Sequence, residues 1–231
     1  MEGVFALSKR RLKFSKVNMA KYISHLDLLR CFTRAVMRSG LPVGYSQGFN
    51  PHQKMTFALP LPVGVTGESE FVDISFEDGK TTDEIIMKRL NRCLPPDIRI
   101  LGVGDLNYKA ADIISAEYIA ILHADKEITA KQIKDFFAED EIIVMKKTKK
   151  KTEKPINILE YVRAWEVMEE GENSITLRLV LDAGGERNLK PDMLISAFCE
   201  RNPYICADDA EIHRRKIFCK GEAPDIIEEF C

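Results

Sequence analysis

Apolar residues recur along the chain with two different periods, and the places where the period changes mark the elements. From Arg11 to Ile23 (RLKFSKVNMAKYI), Leu12, Phe14 and Val17 alternate with polar neighbours, the two-residue period of a half-buried strand, up to a break near Asn18. Leu28, Leu29, Phe32, Ala35 and Val36 then recur at helical spacing. Ser24 stands ahead of them as N-cap with Asp27 three residues on, and Gly40 and Pro42 follow, so a helix is predicted from His25 to Ser39. The segment from Leu41 to Phe76 is rich in Pro and Gly, with apolar runs only at Met55 to Leu59 and Phe71 to Phe76. It predicts an irregular strand, a long loop and one or two further strands. A second helix fits Thr82 to Cys93, capped by Thr81 or Thr82, with Ile85, Ile86, Leu90 and Cys93 facing inward and Pro95-Pro96 as terminator. Ile98 to Val103 closes the unit as a strand. The order β-α-β-β-α-β is that of the ferredoxin-like, split-βαβ motif.

The second half repeats this grammar after a joint near 107–115. Glu117 to His123 reads as a strand, Ala130 to Glu139 as a helix and Glu141 to Lys147 as a strand, followed by a lysine tract read as a loop. Val162 to Met168 and Ser174 to Leu181 alternate on either side of a Glu-Glu-Gly-Glu-Asn turn and spell a hairpin. Pro191 opens a helix through Glu200, and Glu211 to Lys220 is the last strand. The expectation is an α+β protein of two ferredoxin-like (split βαβ) domains in tandem. A basic N-terminal domain covers 1–108, and a C-terminal domain covers 115–231 with a lysine-rich loop at 146–154. A chain of 231 residues suits two domains.

Composition narrows the setting. No window reaches the roughly 18 uncharged apolar residues of a membrane span, and the N-terminus lacks an apolar stretch with a cleavage site, so a cytoplasmic protein without a membrane partner is expected. Six cysteines without a CxxC pair argue for reduced thiols and against a metal site. The net charge of −2 hides a segregation: residues 1–60 carry ten Lys/Arg against Glu2 and Asp27, and Lys146 to Lys154 holds six lysines with Glu153 alone opposing them. Such asymmetry speaks to an anionic partner.

The candidate chemistry lies in these basic regions. Asp27, Arg30, Arg34 and Arg38 fall on one stripe of the first helix, opposite Leu28, Phe32 and Ala35, a row of guanidinium forks suited to phosphate oxygens or to pairing with the acidic second helix. The loop Gly44-Tyr45-Ser46-Gln47-Gly48-Phe49-Asn50-Pro51-His52 combines glycines, amides and aromatics. Gln47 and Asn50 suit base edges, Tyr45 or Phe49 suit stacking on an unpaired base, and Lys54 suits a phosphate. The alternative is a buried hairpin whose aromatics are core and whose amides serve its own backbone. His25 and His52 admit a metal-independent ribonuclease, one imidazole as base and the other as acid, although the first turn of a helix disfavours a charged His25. His123 and His213 lack ligand spacing. In the second half, Gly184, Gly185, Arg187, Asn188 and Lys190 form a loop running into a helix N-terminus, an arrangement that either receives an anion or simply turns strand into helix. Arg214-Arg215-Lys216 and the lysine tract extend the basic character.

Tyr22-Ile-Ser-His-Leu-Asp-Leu-Leu-Arg30, Leu41-Pro-Val-Gly-Tyr-Ser-Gln-Gly-Phe-Asn-Pro51 and Leu59-Pro-Leu-Pro-Val-Gly64 together resemble the radical-SAM-linked family of bacterial proteins. In that family the domain often ends a B12-binding radical SAM protein or is a separate chain encoded near one. The match is specific over residues 10–75 and looser beyond, chiefly at 184–198. The cluster motif CxxxCxxC is absent from this sequence, so the resemblance implies no cofactor in this chain and an iron-sulfur cluster, SAM and cobalamin on a partner radical SAM protein. It further implies a role in binding or positioning substrate, with tRNA or rRNA as the RNA. A ribonuclease of the CRISPR RNA-processing type and a protein-interaction module are the alternatives.

Overall fold

The computed structural model describes residues 8–77, 81–147, 152–205, 207–221 and 227–229. The chain forms two compact units, Met1–Ala110 with Glu229–Cys231, and Ala111–Glu228.

The first unit runs β1 (Ser8–Lys16), α1 (His25–Ser39), β2 (Met55–Phe57), β3 (Val65–Phe76), α2 (Asp83–Cys93), β4 (Ile98–Gly104). Its sheet has the order β4-β1-β3-β2 with every neighbour antiparallel. Leu12 and Phe14 of β1 and Val72, Ile74 and Phe76 of β3 point to one face, where Leu28, Phe32, Ala35 and Val36 of α1 and Ile86 and Leu90 of α2 meet them. Phe14 meets the edge of Phe32 at 5.0 Å between centroids, a favoured aromatic geometry.

α1 forms where the pattern predicts it. Ser24 caps it, its hydroxyl accepting the Asp27 N–H at 3.2 Å. Gly40 ends it at φ +65°, the left-handed conformation that a helix C-terminus demands and a Cβ resists. Three expectations are corrected nearby. The first strand stops at Lys16 rather than Ile23, because the Val17 N–H leaves the ladder for Asp97 O (2.9 Å) and Asn18, at φ +47°, turns the chain into a 3-10 turn over Asn18–Tyr22. Ile85 is 40% exposed, since the buried stripe of α2 is set by Ile86 and Leu90 and Ile85 lies about 100° round the helix from Ile86. Cys93 is only half-buried, at the last turn of that helix.

The second unit runs β5 (Ile113–His123), α3 (Ala130–Phe137), β6 (Ile143–Lys147), β7 (Glu153–Asn157), β8 (Val162–Glu170), β9 (Ser174–Asp182), α4 (Pro191–Arg201), β10 (Glu211–Lys220), with a short β11 (Ile227–Glu229) near the end of the chain. The order β10-β5-β9-β8 is again antiparallel throughout. Leu122, Leu177 and Leu179 of the sheet pack with Ile133 and Phe136 of α3 and Leu194, Ile195 and Phe198 of α4. β5 starts at Ile113, inside the expected joint. The lysine tract is not simply a loop: its ends lie in β6 and β7, which pair as a separate two-stranded ribbon with Met145 opposite Pro155 and Lys146 opposite Lys154. The tip of the tract, 148–151, lies outside the described residues. Among the described residues each unit is thus α+β, two helices on an antiparallel sheet of four main strands, with β11 also pairing β10.

Candidate nucleic-acid interface

The stripe expected on α1 is present and opens on a groove. Arg30, Arg34 and Arg38, with Asp27 and Cys31, form one wall of a depression of about 570 Å³, and Cys93, Leu94 and Pro95 at the end of α2 form the other. Ordinary helix geometry places the three arginines about 6 Å apart along the axis, on the side facing away from Phe32 and Ala35. The three are not equivalent. Arg30 donates to Asp27 Oδ1 at 2.9 Å, and Arg38 donates to Cys93 O at 2.6 Å, where it satisfies a carbonyl at the end of α2. Arg34 is exposed and makes no hydrogen bond or ion pair among the described residues. Of the alternatives left open by the sequence, pairing with acidic residues accounts for Arg30 alone, and through Asp27 of its own helix rather than through α2.

The charges around the groove follow from these contacts. The Ser24 hydroxyl, donating to Asp27 Oδ2 at 2.7 Å, and then the Arg30 guanidinium hold the Asp27 carboxyl below the usual carboxylate range. Burial pushes the Cys31 thiol up, against the opposing pull of Arg38 and Arg34. Cys31 therefore presents a neutral thiol to the groove at neutral pH rather than a reactive thiolate.

The Gly44–His52 loop is a tethered hairpin. Tyr45 bridges to Gln53, the Ser46 N–H donates to His52 O at 2.8 Å, and the Ser46 hydroxyl lies 2.8 Å from His52 Nδ1 while accepting the His52 N–H. The reading in which the loop's aromatics are core is overturned: Phe49 is fully exposed and Tyr45 is 43% exposed. The backbone bonds that close the hairpin leave its tip residues, Gln47, Gly48, Phe49 and Asn50, projecting into solvent. Lys54 is half-buried, its backbone tied to Gly44 and Ser75. The hairpin joins α1 through Gln53, whose amide donates to Thr33 O at 3.3 Å. Thr33 and Arg34 are one helical step, about 100°, apart, so the hairpin attaches on the flank of α1 opposite α2. The groove lining includes none of the hairpin residues. The sequence placed the arginines and the hairpin in one site; the fold sets them on two sides of one helix.

His25 and His52 do not form a catalytic pair. His25 packs its ring edge-to-face on Phe57 at 5.2 Å with Nδ1 buried, whereas His52 is held in the exposed hairpin by Ser46. They share no partner among the described contacts.

In the second unit the predicted anion loop is occupied by its own neighbours. Gly184 sits at φ +136° so close to β5 that a Cβ would lie 2.3 Å from Ile113 O. Arg187 donates through Nε to Asp182 Oδ2 (2.6 Å) and also bonds Glu160 O, with its guanidinium 4.4 Å from the Tyr161 ring centre. Asn188 O accepts Lys146 Nζ at 2.5 Å, and burial first, then the charge of Lys190, pushes the Lys146 ammonium below its ordinary pKa. Arg163, which sequence reasoning passed over, donates to the other oxygen of Asp182 at 2.5 Å. No local pattern announces it, because the partner is 19 residues away on the next strand.

The N-terminal basic excess is also partly neutralised. Arg11 makes a two-pronged pair with Asp73 (2.8 and 3.1 Å) with both side chains buried, and Arg10 bonds Asp105 and lies 3.3 Å from Asp83. Lys16 is 1% exposed, with Nζ 3.4 Å from both Lys21 O and Ile23 O.

Known proteins extend these observations at two levels. No curated protein matches the chain. Among solved structures, a chain of the crystal structure of a Cbf5-Nop10-Gar1 complex is similar at 12% identity and a TM-score of 0.51, over 90% of this chain and 48% of that one. A chain of the archaeal box H/ACA sRNP Nop10-Cbf5 complex follows at 12% identity and 0.47, over 89% and 46%. This chain thus spans about half the length of these two chains, and the likeness to the first is one of fold. No helix among the described residues is long and apolar enough to cross a membrane. The family model described as "Uncharacterized protein conserved in bacteria (DUF2344)" matches residues 9–191, most of the sequence, and the chain belongs to that bacterial family.

Proposed function

We propose that this chain is an RNA-binding accessory module that holds a tRNA or rRNA substrate for a partner radical SAM enzyme, with Arg34 at the centre of the phosphate-binding groove. The observation that carries the reading is an open groove lined by three arginines and one carboxylate, in which Arg34 has no hydrogen-bond or ion-pair partner among the described residues. Guanidinium groups fixed on a helix and left facing water suit phosphate oxygens, which they meet with paired N–H donors. The exposed Phe49, flanked by the amides of Gln47 and Asn50, suits an unpaired base reaching the other flank of the helix. The iron-sulfur cluster, SAM and cobalamin belong to the partner. Leu26 and Met37, exposed on α1, and Met19 and Tyr22 in the preceding turn suit the contact with that protein. In this reading each unit is a split-βαβ domain, supported by helices after the first and third sheet strands and by the shared sheet order. The ribonuclease reading finds no support in the placement of His25 and His52.

The test is binding of labelled total small RNA at two salt concentrations with a competing polyanion, using wild type and Arg34→Ala. Saturable binding that survives the competitor, weakens with salt and falls several-fold in the variant is expected. Binding no better than the polyanion background, or unchanged in the variant, removes RNA and leaves the protein-interaction module.

A further inference from the structure

Residues of the second unit between Ala111 and Lys220 line a second pocket, of about 440 Å³, whose cationic wall is Arg163 of β8, Arg187 of the loop after β9, and Lys220 at the end of β10. Both arginines grip one buried carboxylate, Asp182, which is 3% exposed: Arg163 Nε takes Oδ1 and Arg187 Nε takes Oδ2. Held through Nε, each guanidinium is fixed in position while its far edge is not consumed by Asp182. The terminal amino groups of Arg163 have no partner among the described residues, and Arg187, braced by Glu160 O and Tyr161, retains one. Two immobilised forks with a neighbouring ammonium are a preorganised receptor for an oxyanion, because little side-chain freedom remains to be lost on binding.

The rest of the lining narrows the ligand. Asp112 and Glu186 share the pocket with apolar Ile113, Ile114 and Ala183. Carboxylates repel a bare anion but accept hydrogen bonds from hydroxyl groups, so a ligand must bring donors as well as a phosphate. The volume falls in the roughly 300–1,000 Å³ range of small-molecule sites. We propose that this pocket binds a phosphorylated small molecule of nucleotide size, its phosphate on Arg163, Arg187 and Lys220 and its hydroxyl-bearing body against Glu186. The site is independent of the groove on α1 and does not require that groove to bind RNA.

Calorimetry or NMR titration of the full chain at constant ionic strength tests it, with inorganic phosphate and adenosine monophosphate as probes. Saturable binding of adenosine monophosphate, displaced by phosphate, is expected. Lys220→Gln, which leaves the Asp182 clamp intact, weakens both probes about tenfold, the loss of one charge-assisted contact. Glu186→Gln weakens adenosine monophosphate while strengthening inorganic phosphate, from which it lifts a repulsion, and Lys88→Gln, on the exposed side of α2, alters neither. A 5′-phosphorylated oligoribonucleotide that competes while its hydroxyl-ended twin does not identifies the phosphate source as an RNA end; failure of both to compete identifies a free small molecule. No saturable binding of either probe, or binding unchanged by Lys220→Gln, overturns the proposal and leaves Arg163-Asp182-Arg187 as a structural clamp.

Discussion

Arg11 and Asp73 face each other across β1 and β3 as direct register partners, and their two parallel hydrogen bonds lie out of water. Loss of one member destabilises a buried pair of this kind more than loss of both, because a single deletion removes the main compensation of a charge that stays buried. Asp73→Ala should therefore lower stability by about 3–5 kcal/mol, read from the urea midpoint, whereas Arg11→Met with Asp73→Leu should lose far less. A single variant within about 1 kcal/mol of wild type, the scale of an exposed pair, would show the ion pair to be solvated. This residue also shows where sequence reading stops. Counted along the chain, Arg11 is one more cation for an anionic partner; its actual partner is 62 residues away and is supplied only by strand pairing. The exposed stripe of Arg30, Arg34 and Arg38 was legible from helical period alone, whereas the bond that engages Arg38 was not, because its acceptor, Cys93 O, is brought there by the packing of α2.

At the scale of elements, legibility follows the range of the forces that define each one. α1 was readable from end to end because its cap, apolar stripe and terminating glycine all act within a few residues. The β6–β7 ribbon was not, since its pairing sets Lys146 against Lys154 and places Pro155 in a strand, both local signals against a sheet. Two glycines test the difference between local conformation and long-range packing. Gly40 has open space around its missing side chain, so Gly40→Ala meets only the left-handed backbone strain, about 1–2 kcal/mol. Gly184→Ala meets a strained φ and drives its Cβ to 2.3 Å from Ile113 O, so its loss in chemical denaturation should exceed that of Gly40→Ala. Equal losses would mean that the loop after β9 yields freely and does not hold Arg187 in place.

For the whole molecule the proposed function raises the question of how many cations would meet RNA at once. Residues 1–60 contain ten Lys/Arg within a chain of net charge −2, so attraction spread over the surface and attraction confined to the groove predict different salt responses. Arg10 and Arg11 are bound to carboxylates, Lys9 lies 3.5 Å from Asp73, and Lys16 is buried, which leaves the groove arginines as the concentrated positive feature. Each phosphate neutralised on a single strand contributes about −0.7 to the slope of log affinity against log salt, so three groove contacts give a slope near −2, whereas all ten cations would give about −7. Arg34→Ala should make the slope shallower by about 0.7, and Lys88→Glu, on the exposed side of α2, should leave it unchanged. A slope near −7, or one as sensitive to Lys88 as to Arg34, would mean that RNA meets a diffuse basic surface and that the internal ion pairs open on binding. A slope near −2 that responds to Arg34 and not to Lys88 would mean that folding, by committing most of these cations internally, has reduced a broadly basic N-terminal segment to one short phosphate track.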